Sequence, residues 1–300
     1  MIFYNGATGS LGQYFGAALA RAGAAGRALR CRLEDRAGCV RELQSCELAR
    51  GAPVFLVQMA AKVSVPACES DPLAAHKTNV LDTLATVDDF VLFARARGAS
   101  PHVLYVSSGH VYAPQPEASR IAEDAPVSPR SAYARSKLNA ERALEQRAAE
   151  WGYPLLVARV FGLLAPRQPA NYLLPGLIRR VRSGDLQNIP GLSFHRDYLD
   201  ARDVCEHLVR LCTLGFGVEP GQTARFNVCS GQALQIRELV VRILALLPPA
   251  AAVTLGEAAG RPDDIPWIVG NPRALEARLG VPARRIQLIE TLRDALQSAV

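Results

Sequence analysis

Tyr133 and Lys137 stand four residues apart in the stretch SAYARSK. At that spacing on a helix, two side chains share one face. A tyrosine hydroxyl is a poor base at neutral pH, but a neighbouring ammonium favours the phenolate and lowers its pKa. A lysine can also hold a ribose hydroxyl of a dinucleotide. The chain has 34 Lys plus Arg, yet its only lysines are Lys62, Lys77 and Lys137. Arginine supplies the same charge with a different reach and hydrogen-bond geometry, so a lysine at 137 points to a specific role. Upstream, Ser107 and Ser108 end the run HVLYVSS, and Ser108 precedes Tyr133 by 25 residues. A hydroxyl there can hydrogen-bond a carbonyl or alcohol oxygen whose charge changes during hydride transfer.

A second constellation opens the chain. Gly6, Gly9 and Gly12 follow the apolar run MIFY and precede a helix-like stretch from Leu11 to Ala22. Glycines in this position let the backbone approach a pyrophosphate, and the helix start at Ser10 and Leu11 offers free N–H groups to it. An acidic residue at the end of the second strand suits NAD, whereas an arginine suits the 2′-phosphate of NADP. In GRALRCRLEDRAG, Arg30 or Arg32 falls near the strand end, and Glu34 and Asp35 follow. Arg32 is the candidate cofactor residue, so NADP is favoured over NAD. Surface ion pairing by these arginines is the competing explanation.

The elements that must position these groups alternate. PVFLVQMAA, HVLYVSS and PLLVARVF are near-continuous apolar runs, as in strands covered on both faces. Helical patterns fill Asn79 to Arg97 and Tyr133 to Glu150. This order predicts an α/β fold, a Rossmann-type doubly wound parallel sheet. After about residue 162 prolines and turn residues increase. The expected organisation is a cofactor-binding domain over 1–165, re-entered around 195–230, and a smaller C-terminal substrate-binding lobe formed mostly by 166–300. The final 30 residues read as helix.

Composition narrows the functional classes. Hydrophobic residues make up 49% and charged residues 21%, ordinary for a soluble globular chain. No apolar run approaches the ~18 residues of a membrane span, and the N-terminus lacks the pattern of a signal peptide. The seven cysteines are scattered without a C-x-x-C pair. Free thiols in a reducing cytoplasm are therefore expected, with no disulfide framework and no metal site. The net charge of +6 comes from dispersed arginines, a distribution that suits an anionic small substrate better than nucleic acid.

Together these motifs resemble the extended short-chain dehydrogenase/reductase superfamily, the NAD-dependent epimerase/dehydratase family, whose members act on nucleotide sugars. GATGSLG resembles its cofactor loop. QMAAKVSV resembles its H-x-A-A strand end, with Gln58 in place of histidine. KTNVLDT resembles N-V-x-G-T, with Asp82 in place of glycine. The resemblance implies Ser108, Tyr133 and Lys137 as catalytic residues. It implies Gly6, Gly9, Ser10, Leu11, Gly12, Arg32, Ala60 and Lys137 at the cofactor. Ser64, Ser108, Arg196 of HRDYLDARD, and Arg261 and Asp264 of GRPDDIP then fall at the substrate. RVFG departs from R-x-F-N, with Gly162 where an asparagine often meets the substrate. A homodimer built on Asn79–Arg97 and Tyr133–Glu150 is also implied.

Dehydratases of this family usually carry an acidic pair after the Ser/Thr, where this chain has Gly109 and His110. Water elimination is disfavoured without that extra acid and base. RQPANYLLPG and RPDDIPWIVGNPRALEARLG most resemble the reductases of GDP-4-keto-6-deoxymannose. The expected activity is NAD(P)-dependent reduction of a 4-keto-6-deoxyhexose. The alternatives are a nucleotide-sugar epimerase with tightly bound NAD and a non-catalytic dinucleotide sensor.

Overall fold

The structure, a computed structural model, describes residues 1–248, 254–258 and 264–298. The first half runs β1 (Ile2–Tyr4), α1 (Gly12–Arg21), β2 (Gly26–Ala28), α2 (Arg36–Gln44) and β3 (Pro53–Gln58). Two short helices follow, α3 (Val65–Ser70) and α4 (Pro72–His76), each with proline in its first turn and capped by Ser64 and Asp71 respectively. Proline is tolerated there because its missing N–H has no helical partner. A π-helical turn over Lys77–Asp82 leads into α5 (Thr83–Ala96), then β4 (Ser100–Ser108), α6 (Ala132–Trp151) and β5 (Leu155–Val160). The α6 helix stops at Gly152, whose φ of 64° is the left-handed cap that glycine adopts readily.

The second half contains β6 (Gly162–Leu164), α7 (Leu173–Ser183), β7 (Ile189–Pro190), β8 (His195–Asp200), α8 (Ala201–Thr213), β9 (Thr223–Val228) and β10 (Ala233–Gln235). It continues with α9 (Ile236–Leu244), β11 (Glu257–Ala258), β12 (Trp267–Ile268), α10 (Arg273–Leu279) and α11 (Leu288–Ser298). The single C-terminal helix expected from sequence is thus two. Gly280, at φ +66°, caps the first and turns the chain.

Six parallel strands form the central sheet in the order β2-β1-β3-β4-β5-β9. Phe15, Leu19, Val204 and Leu208 pack one face from α1 and α8. Phe90, Val91, Leu144 and Ala148 pack the other from α5 and α6. Apolar cover on both faces explains why these strands lack polar alternation. The chain reverses its winding at β1/β3, and the glycine loop sits at that switch point, where such sheets bind ligands. A second sheet joins β8 to β10, β12 and β6. Beneath it α7, α9 and α11 bury Leu174, Ile178, Leu239, Ile243 and Leu292. No helix among the described residues is long and apolar enough to cross a membrane.

The cysteine expectation needs one correction. Cys31 and Cys39 are disulfide-bonded, and the other five are free and buried. The start of α2 folds residue 39 back towards the end of β2, a proximity that sequence spacing alone did not reveal.

Candidate active site

Strand β4 is buried through its C-terminal end, where Ser107 and Ser108 lie. A short 3-10 turn over Gly109–Val111 follows, and the His110 N–H donates to Ser108 Oγ at 3.2 Å. Opposite, Ser131 caps α6 by accepting the Ala134 N–H at 3.1 Å, which fixes Tyr133 and Lys137 in the first two turns. The Tyr133 hydroxyl hydrogen-bonds Ser108. Burial pushes it up to about 12, against the opposing effect of that bond. The expected lowering by Lys137 is not found: desolvation dominates, and the lysine points elsewhere. Lys137 Nζ donates to the Val106 carbonyl at 2.8 Å and lies 4.8 Å from the Tyr105 ring centroid. Burial lowers Lys137 to about 8, with Glu141 the main opposing charge. Tyr133 is therefore protonated at neutral pH, as a proton donor must be.

Asn79, the asparagine of the KTNVLDT motif, was given no role from sequence, yet it braces this end of α6. Its Nδ2 donates to Ser136 Oγ at 2.8 Å and to the Lys62 carbonyl at 2.9 Å, while its Oδ1 accepts the Lys62 N–H at 2.7 Å. The π turn places this side chain between α6 and the segment after β3. Glu141 and Arg159, also unassigned from sequence, form a buried pair at 2.7 Å behind Lys137.

A cavity of about 410 Å³ opens beside these groups. Its walls include Ser64, His110, Ser131, Arg196 and Asp264, together with Arg130, Asn171 and Tyr172. Tyr133 and Ser108 lie two residues from its Ser131 and His110 walls. Arg130, Asn171 and Tyr172 were missed; the aromatic in the proline-rich QPANYLLP was the available signal. Arg196 donates to the His195 and Pro266 carbonyls at 2.9 and 3.3 Å and lies over Phe194. Burial, and then the Arg196 cation, lower His110 to about 4, so its imidazole is neutral. Ser64 caps α3 through Ala67 N–H at 3.4 Å. Arg261 lies outside the described residues.

Gly162 has a packing explanation. A Cβ there would sit 2.4 Å from the Asp197 carbonyl and 2.5 Å from the Tyr198 ring. The β6–β8 pairing, Gly162 opposite Tyr198, fills the space that an asparagine side chain requires.

The glycine loop forms a separate cradle. Gly6 has φ +71°, and a Cβ on it would meet the Ala60 backbone at 3.0 Å; one on Gly12 would lie 2.0 Å from the Gly6 carbonyl. Asn5 Oδ1 accepts the Met59 and Ala60 N–H groups at 2.9 and 2.8 Å, and Asn5 Nδ2 donates to Gln58. Gln58 thus does structural work at the position where the family has histidine. Leu11 caps α1 without a side-chain bond, and no acidic residue occupies the first turn. The buried Ser10 hydroxyl has no hydrogen-bond partner among the described residues. Open N–H groups, an orphaned hydroxyl and space kept by glycine fit a dinucleotide pyrophosphate. Arg32 lies at the rim, 85% exposed and 3.7 Å from Glu34.

The comparisons agree with this geometry. Residues 5–229 match the model of the NAD dependent epimerase/dehydratase family. GDP-6-deoxy-D-mannose reductase of Pseudomonas aeruginosa is 35% identical over 195 residues, 63% of this chain and 61% of that protein's length. GDP-6-deoxy-D-talose 4-dehydrogenase of Aggregatibacter actinomycetemcomitans is 24% identical over 78% of this chain and 75% of its own. The solved structure of RMD from Pseudomonas aeruginosa complexed with NADPH superposes with a TM-score of 0.81 at 29% identity, covering 99% of this chain and 98% of that one. With three quarters of its length matched by the family model, the chain belongs to the NAD dependent epimerase/dehydratase family.

Proposed function

We propose that the protein reduces the C4 ketone of a nucleotide-activated 4-keto-6-deoxyhexose, with NADPH preferred over NADH. One observation carries this reading. A half-buried tyrosine, its hydroxyl kept protonated and bonded to Ser108, stands behind a cavity with the Arg196 guanidinium in its wall. The bound reduced nicotinamide supplies hydride. Tyr133 Oη gives its proton to the forming alkoxide, and Ser108 Oγ holds that oxygen as its charge grows. Lys137, its Nζ anchored on the Val106 carbonyl, holds the ribose. Arg196 and Asp264 meet the substrate's nucleotide diphosphate, and Ser64 its sugar end. Neutral His110 and Gly109 supply no acid for water elimination. The name of the Pseudomonas relative supports a GDP-linked sugar.

In this reading residues 1–165, with 195–230, hold the cofactor through Gly6, Gly9, Ser10, Leu11, Gly12, Arg32 and Ala60, and 166–300 mostly form the substrate lobe. The enzyme works in the cytoplasm as a homodimer. Leu81 and Leu92, 54% and 55% exposed along the π turn and α5, support that pairing.

The test follows NADPH absorbance with GDP-4-keto-6-deoxymannose as substrate. One NADPH consumed per sugar is expected. Tyr133→Phe lowers turnover by about 10²–10⁴-fold while NADPH affinity is retained. Interconversion of sugar epimers without net NADPH consumption, by protein purified with oxidised cofactor, would make it an epimerase. Near-wild-type turnover of Tyr133→Phe would remove the tyrosine from its role.

A further inference from the structure

The bridge between Cys31 and Cys39 ties the segment after β2 to α2. The Leu29 N–H donates to the Tyr4 carbonyl at 2.7 Å, so the chain from residue 30 leaves β2 beside the glycine loop. The bridge joins this edge to the first turn of α2, with Cα atoms 5.3 Å apart, inside the usual range for bonded pairs. It encloses Arg32, whose largely exposed side chain forms a long ion pair with Glu34 at 3.7 Å. The fold does not depend on this clamp. Asp35 already caps α2 by accepting the Gly38 N–H at 2.9 Å, and Leu33 and Leu43 are buried on either side. Cys39 is buried, whereas Cys31 is partly exposed and lines an open cavity of about 350 Å³. Arg30 and Arg41 face the same cavity, as do Asp35 and Glu42. A small thiol can reach Cys31 there.

We propose that Cys31 and Cys39 are a reversible thiol–disulfide site whose oxidised form pre-organises the Arg32 loop for the 2′-phosphate of NADPH. This rests on the reading of Arg32 as the 2′-phosphate residue. In oxidation, the Cys31 thiolate attacks a small-molecule disulfide and releases one of its halves as a thiol. The Cys39 thiolate then attacks Cys31 Sγ in the mixed disulfide and releases the second thiol. Two cysteine protons and two electrons leave the protein, and the oxidant is reduced to two thiols. Reduction by a dithiol reverses both steps. In the reduced protein the loop over residues 31–39 loses its closure, and Arg32 must be ordered at each binding event. That ordering weakens NADPH binding by about three- to tenfold. NADH lacks the 2′-phosphate and its affinity is unchanged.

The full-length protein, equilibrated with oxidised glutathione or with dithiothreitol, is tested in two ways. Alkylation in denaturant followed by mass spectrometry is expected to label five cysteines in the oxidised sample and all seven in the reduced one. Fluorescence titration is expected to give tighter NADPH binding in the oxidised sample alone, with equal NADH affinity in both. Cys31→Ser, at the partly exposed position, is expected to behave as the reduced protein under both treatments. Seven labelled cysteines after oxidation, or equal NADPH affinity in the two states with NADPH still preferred over NADH, overturns the switch. NADPH bound no tighter than NADH in either state overturns the cofactor assignment, and the switch with it.

Discussion

Glu141→Gln separates what the buried charges behind the site do for stability from what they do for Lys137. Glu141 and Arg159 are 1% and 4% exposed. Arg159 Nε reaches the two Glu141 oxygens at 3.1 and 3.2 Å, and Nη2 reaches Oε2 at 2.7 Å. Ser107 also donates to Glu141. Burial disfavours the Arg159 cation, but the Glu141 bonds and charge outweigh it and hold Arg159 above its ordinary pKa. The glutamine keeps the shape, removes the charge and turns an acceptor into a donor facing a guanidinium. Stranding one member of a buried pair costs about 3–5 kcal/mol, read as a lower urea midpoint at unchanged m. Lys137 also loses the main charge that opposes its desolvation, so its pKa falls below the present value of about 8. The alkaline limb of kcat/KM then moves to lower pH. Because Lys137 is depressed from 10.5, the unfolded chain binds the extra proton between about 8 and 10.5. Stability from this group therefore rises with pH across that window, and the window extends downward in the variant. Replacing both partners, Glu141→Leu with Arg159→Met, is expected to recover part of the stability while leaving the alkaline limb displaced. A loss below about 1 kcal/mol with an unmoved limb refutes the reasoning.

His110→Gln is expected to reduce acid sensitivity. His110 is lowered to about 4 from 6.5, so the native state resists a proton that the unfolded chain accepts. Its contribution is neutral above pH 6.5 and turns unfavourable as pH falls towards 4, by on the order of 2 kcal/mol between pH 7 and pH 5. Unfolding midpoints at the two pH values check this, and an equal acid loss in both proteins refutes it. Gly162→Ala is expected to cost about 1–3 kcal/mol through overpacking against Asp197 and Tyr198. Thermal unfolding of the variant measures that cost, and a neutral result would show that β6 and β8 separate freely.

How much of the site was legible depended on how local each cause is. Tyr133 and Lys137 could be read as a pair because a helix turns every ~3.6 residues, whatever surrounds it. Gly6, Gly9 and Gly12 could be read because a strand, a tight turn and a helix start leave few other reasons for that spacing. The doubly wound sheet followed from apolar runs long enough for strands covered on both faces. The C-terminal helix was overextended because Gly280 stops a pattern that otherwise continues.

What the sequence determined by itself was therefore the chemistry on offer: a tyrosine, a lysine and a serine hydroxyl at a strand end, and a loop shaped for pyrophosphate. The tertiary structure decided the state of those groups. Burial, which no spacing encodes, keeps Tyr133 protonated, lowers Lys137 and leaves His110 neutral. Pairing of β6 with β8 explains Gly162, and packing of α6 on β5 unites Glu141 with Arg159. The fold of α2 back on β2 brings Cys39 to Cys31. Each depends on contacts between segments that the chain keeps apart and only the folded core brings together.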